Sequence, residues 1–217
     1  MRLDLGSPVR CEDGDLGELA DVVVDPTTRR VTHLVIAPHE HGHELPRLVP
    51  VGRARAVDAV IVLDLAIADF EALEPVHEVA YLRLGEFPVD DPEWDVGVED
   101  MLALPYYQGL EAQPIEADPH VMIGYDRIPK GEVEIRRASA VCSADGAHLG
   151  HVEGFVVEDD HISHVVLERG HLWGRRDVVI PIGAVARVES DSIELKLSTD
   201  EVGRLPSRRV HRWGHHD

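Results

Sequence analysis

The sequence predicts an all-β protein with short helices, built as two tandem small antiparallel β-barrels joined by an ordered connector. Three observations predict this class. The stretch Val9–Val24, with Asp13-Gly14, Leu16-Gly17 and a valine run, returns as Val141–Val157, with Asp145-Gly146, Leu149-Gly150 and Phe155-Val156-Val157. The correspondence then continues: Val31-Thr32-His33-Leu34-Val35 answers to Ile162-Ser163-His164-Val165-Val166, and Val49-Pro50-Val51-Gly52 to Ile180-Pro181-Ile182-Gly183. Finally, the apolar segments are short, β-branched and bounded by Gly, Pro and Asp at spacings of about ten residues, which is the pattern of an antiparallel barrel or sandwich rather than of βαβ units.

Matched positions slip only in loops, after Gly146 and at the turn Asp25-Pro26-Thr27-Thr28, whose counterpart is Glu158-Asp159-Asp160. Slips confined to turns mark two folded copies of one unit. The boundaries follow: residues 1–75 form the first barrel, 76–132 an acidic, aromatic-rich connector, 133–206 the second barrel, and 207–217 a basic, histidine-rich tail expected to be disordered. Units of about 75 residues bury only roughly 60% of their unfolded surface, so each is expected to lean on its neighbour.

In the first unit, strands are expected over Leu16–Val24, Val31–Ile36, Leu48–Val51 and Val57–Leu63. Asp13-Gly14 and Asp145-Gly146 are tight-turn signals. Gly17 and Gly150 interrupt strands, as at a bulge or a close backbone approach. Pro50 and Pro181 lack an amide donor and belong at strand ends or sheet edges. Short helices are expected over Ala66–Leu73 and Thr199–Leu205, with Ser198 or Thr199 and Asp69 as caps. In the connector, Val76–Leu84 reads as a strand, and Asp95 as the cap of a helix through Val98, Met101, Leu102 and Leu104 that stops before Pro105.

The ordered set Gly6-Ser7-Pro8-Val9, Asp13-Gly14 with Gly17, a valine strand, a turn, Val31-Thr32-His33-Leu34-Val35 and Val49-Pro50-Val51, present twice, resembles the PRC-barrel family. That family includes the barrel of the photosynthetic reaction centre H subunit and the carboxy-terminal domain of a ribosome-maturation factor. The resemblance implies a non-catalytic β-barrel used for protein–protein contact, and it carries over no catalytic residue and no cofactor. Tyr125–Ile135 and Gly170–Arg176 further resemble uncharacterised tandem members of bacterial origin.

The chain has 217 residues and a formal charge of −20, with 41 acidic against 21 basic side chains. Such a charge opposes binding to nucleic acid and to anionic membranes. No apolar run is long enough for a membrane span or a signal peptide, so a soluble, cytoplasmic protein without membrane insertion is expected. The two cysteines, Cys11 and Cys142, lie one in each unit, which suits a reducing compartment and small packed residues.

No catalytic constellation emerges, and the protein is read as not an enzyme. His39-Glu40-His41-Gly42-His43 formally matches H-E-x-x-H, but Pro38 and Gly42 argue against the helix that zinc chemistry would need. In extended form His39, His41 and His43 would line one side, which makes metal binding the alternative function. The run Glu86, Asp90, Asp91, Glu93 and Asp95 lacks EF-hand spacing and reads as a solvated loop. His33 and His164, repeated within a strand, read as packed structural residues. The partner-binding candidates are Trp173, Arg175 and Arg176 in the second unit's loop and Trp94, Tyr106 and Tyr107 in the connector, because Trp, Tyr and Arg dominate interface hot spots. Two placements of Trp173 stay open: over its own barrel's mouth, or exposed. The connector aromatics are expected to seal the gap between barrels, and they are also the candidates for a homodimer contact. The reading is therefore a scaffold or interaction module whose protein partner the sequence does not name.

Overall fold

A computed structural model of the chain describes residues 1–39, 45–83, 94–102, 120–169, 176–189 and 191–209, giving the backbone path alone for 77–83, 94–102, 120–126 and 208–209. The first half lays down β1 (Arg2–Asp4), β2 (Pro8–Arg10), β3 (Asp15–Asp25), β4 (Arg30–Pro38) and β5 (Arg47–Pro50). A 3-10 turn over Val51–Arg53, the hairpin of β6 (Ala54–Val57) and β7 (Val60–Leu63), and the short helix α1 (Ile67–Glu71) complete it. The connector carries β8 (His77–Arg83), β9 (Trp94–Leu102) and β10 (His120–Pro129), a separate three-stranded antiparallel sheet in the order β8-β10-β9. The element order of the first half then recurs. It runs β11 (Val133–Arg136), β12 (Ala140–Cys142), β13 (His148–Glu158), β14 (His161–Arg169), β15 (Arg176–Pro181), a 3-10 turn over Ile182–Ala184, β16 (Val185–Glu189), β17 (Ser192–Leu195) and α2 (Thr199–Gly203). β18 (Ser207–Arg209) pairs with β15 at the end.

The protein is all-β with two short helices, and among the described residues its sheet does not close into two barrels. Fifteen strands form one continuous sheet, whose main path runs β16-β17-β12-β13-β14-β4-β3-β2-β7-β6, with β5 on β4. Among the described residues β5 and β6 do not pair. Pro50 has no amide to donate, and in the 3-10 turn that follows it the Ala54 amide bonds back to the Val51 carbonyl, so the ladder ends where closure would require it to continue.

The halves are interlocked through their first strands. β1 pairs with β13 of the other half, setting Leu3 opposite Phe155; β11 pairs with β3, setting Ile135 opposite Val22. The sequence correspondence that matches Val9 to Val141 also matches Leu3 to Ile135, so the two crossings are reciprocal. Between them β4 meets β14 at Arg30 opposite His161, where Val31 donates to the Asp160 carbonyl and Ile162 to the Arg29 carbonyl, both at 2.9 Å. The crossing strands bury what alternation predicts. Leu3, Ile135, Val22 and Phe155 are all inaccessible or nearly so, and they belong to one hydrophobic cluster that runs through both halves. One core is therefore shared by both halves, which lean on one another as units of this size are expected to. These crossings join the halves among the described residues; the connector aromatics expected between the barrels have no described side chains. The connector instead adds Val76 and Ile128 to a small second cluster on Val23, Val35 and Leu48.

Two local expectations are corrected. Val57–Leu63 is a hairpin, not one strand, because Asp58 turns the chain with φ of 49°; a short polar side chain tolerates that left-handed region. Trp94–Leu102 is strand β9, not a helix capped by Asp95. Trp94, Val96 and Val98 alternate with Asp95 and Gly97, a two-residue period that outweighs the weaker helical spacing of Val98, Met101 and Leu102.

Candidate functional site

Each half holds its α-helix against its own first hairpin with one carboxylate. Asp13 Oδ1 accepts from the Ile67 amide at 2.9 Å, and Asp145 Oδ1 accepts from the Thr199 amide at 3.1 Å. Asp69 caps nothing, and Ala66 at the N-terminus of α1 has no side chain able to do so; Asp13 supplies the missing acceptor from a distant turn. Ser198 caps α2 through a reciprocal pair with Glu201. These aspartates are more than turn residues, and their recurrence at matched positions was the available signal.

Of the predicted partner-binding residues, only Arg176 has a described side chain. It is exposed at the start of β15. Trp173, Arg175, Tyr106 and Tyr107 lie outside the described residues, and Trp94 opens β9 with its backbone alone described. Strand register gives Arg176 neighbours that sequence reading did not foresee. Arg169 stands opposite it on β14, and Arg209 opposite it on β18, so three arginine positions fall in one row across adjacent strands. Arg169 and Arg176 line a recess of about 240 Å³ with Val178, Val202, Gly203, Leu205 and Ser207. Among the described residues no acid lines that recess. The carboxylate next in sequence, Asp177, is buried and reaches Arg2 Nη2 at 3.0 Å across the interlock. Like charges directly opposite on neighbouring strands repel, and arginine forks bind carboxylates in a planar two-point contact. The row is thus suited to an acidic group. Arg169 carried no signal in the sequence, because a lone arginine at a strand end means nothing until register sets it beside another.

His33 and His164 are half-buried strand residues. His33 Nδ1 lies 3.1 Å from Thr32 Oγ1 and 3.6 Å from Glu132 Oε2, and the Thr32 hydroxyl donates to the same carboxylate oxygen. Burial pushes the His33 imidazole below its ordinary value, against the opposing pull of Glu132. His164 Nδ1 lies 3.1 Å from Ser163 Oγ. Cys11 is buried, and its thiol is pushed up to about 11, first by burial and then by Asp13 and Glu12; it stays protonated and unreactive near neutral pH. Cys142 is half-buried in β12.

His39 is exposed, and its amide donates to the Leu16 carbonyl at 3.0 Å. His41 and His43 lie outside the described residues. Among the described residues no three His, Cys, Asp or Glu side chains gather as metal ligands, and no helix is long and apolar enough to cross a membrane. Comparison with protein-family models and with curated protein sequences returned no match, so the PRC-barrel resemblance rests on the residues quoted for it.

Proposed function

We propose that the chain is a non-catalytic interaction module, made of two PRC-barrel-type units tied by exchanged first strands, and that it docks an acidic segment of a protein partner at the β14–β15–β18 end of its sheet. The observation that carries this reading is the row Arg169, Arg176 and Arg209. In a chain of charge −20, three cationic positions in register are a local exception that costs stability unless an anionic group lies across them. In the sequence Trp173 and Arg175 fall between Arg169 and Arg176, and Trp and Arg are the residue types favoured at interface hot spots.

The test is capture from the native cell with the wild-type chain, an Arg169→Glu/Arg176→Glu variant and a Trp173→Ala variant, followed by reconstitution with the purified partner. A partner that binds wild type, weakens steeply with salt and is lost on charge reversal supports the reading. Unchanged binding by the charge-reversed chain, or substrate turnover by pure protein, contradicts it.

A further inference from the structure

Strand β13 brings two imidazole rings together at its start. His148 and His151 are both exposed, and their ring centres lie 5.0 Å apart with the planes 64° from parallel. In a regular strand, residues three apart face opposite sides of the sheet. Here the ladder to β12 slips by one residue: His148 stands opposite Cys142, but Gly150 stands opposite Val141. The extra residue reverses the alternation, so both rings emerge on one face while Leu149 between them stays buried. Gly150 permits this bulge with φ of 155°. His151 is also held by the backbone. Its Nδ1 lies 3.0 Å from the Ala138 carbonyl, which only accepts, so in the neutral ring Nδ1 carries the proton and Nε2 keeps a lone pair.

We propose that His148 and His151 form a two-imidazole site for a divalent transition-metal ion of the zinc class. Two imidazoles that share one ion at metal–nitrogen distances of about 2.0–2.1 Å hold their ring centres about 5 Å apart. The rings already stand at that separation. Metal-bound histidines usually donate the other ring N–H to a carbonyl or carboxylate, and the Ala138 carbonyl fills that place for His151. The surrounding charge is mixed. Glu168 stands opposite His151 on β14, and Glu153 and Arg137 line the same recess, 3.9 Å from one another. Among the described residues no third His, Cys, Asp or Glu completes a ligand set, so water or a donor from another molecule takes the remaining positions. Imidazole suits Zn²⁺, Ni²⁺ and Cu²⁺, whereas Mg²⁺ and Ca²⁺ prefer oxygen. At the matched positions the first half carries Asp15 and Glu18, so the imidazole pair belongs to the second half alone. The site draws on neither the arginine row nor His39, His41 and His43.

The experiment is calorimetric titration with ZnCl₂ of the full chain in which His39, His41, His43, His211, His215 and His216 are all replaced by Gln, so that those histidines contribute no heat. Saturable binding of one Zn²⁺ per chain is expected, with no comparable heat from MgCl₂. Added to that background, His148→Gln and His151→Gln should each weaken Zn²⁺ by about tenfold or more. His161→Gln, exposed at the start of β14, should bind as the background does. Thermal melts establish that each variant is folded. The proposal is overturned if the background chain shows no saturable heat with Zn²⁺, if Mg²⁺ binds as tightly, or if either His148→Gln or His151→Gln binds Zn²⁺ like the background.

Discussion

A Cβ placed on Gly17 would overlap the Ala37 carbonyl oxygen, and one on Gly150 the Glu168 carbonyl oxygen, because at both positions a neighbouring strand passes at backbone distance. Gly17→Ala should destabilise the fold by about 1–3 kcal/mol, the usual cost of forcing a methyl into packed structure. Gly52→Ala is the control: nothing lies within 4 Å of its Cβ position, and urea denaturation should separate the two variants. His33 makes a second prediction. Its folded-state value lies below its ordinary one because burial favours the neutral ring. The unfolded chain therefore takes up the proton first on acidification. The resulting stability is whole above the unfolded value and is lost as pH falls through the folded one. Urea midpoints should fall as the pH drops below about 6.5, the ordinary histidine value, and His33→Gln should flatten that decline. An unaltered pH profile in the variant would assign the decline elsewhere.

At the scale of elements, the strands were legible wherever alternation ran against turn chemistry. Leu16–Val24 and Val31–Ile36 fall within β3 and β4, and the two short helices sit within their expected spans. What misled was local ambiguity: Asp58 hides a turn inside an apolar run, and the acidic residues between Trp94 and Met101 look like a helix start. Strand exchange was not legible at all. A pattern of buried and exposed positions fixes which face of β1 is inside, but not whose sheet it joins, and Leu3 would be buried equally well at home. The arginine row was hidden for the same reason, since register belongs to pairs of strands. Two element-scale outcomes follow. Asp13→Ala should cost about 0.5–2 kcal/mol by removing the acceptor from the first amide of α1, a loss that Ala66 has no means to offset. Leu3→Ala and Ile135→Ala should cost similar amounts, about 2–5 kcal/mol each, because the two residues occupy reciprocal places in one core; chemical denaturation of the pair checks this.

For the whole molecule, reciprocal crossing turns two units that would be marginal alone into one structure with a single contiguous core. The first strand of each half completes the sheet of the other, so neither half holds all of its own parts. Arg2 extends this beyond the backbone by meeting buried Asp177 in the far half. The most direct measurement of the interlock is hydrogen exchange read by mass spectrometry on the full chain carrying Leu3→Asp, a lesion in the first five residues. The interlock predicts that protection falls over His148–Glu158, the strand on which β1 lies, in a half more than a hundred residues away. Loss of protection confined to residues 1–75, with His148–Glu158 exchanging as in wild type, would contradict it.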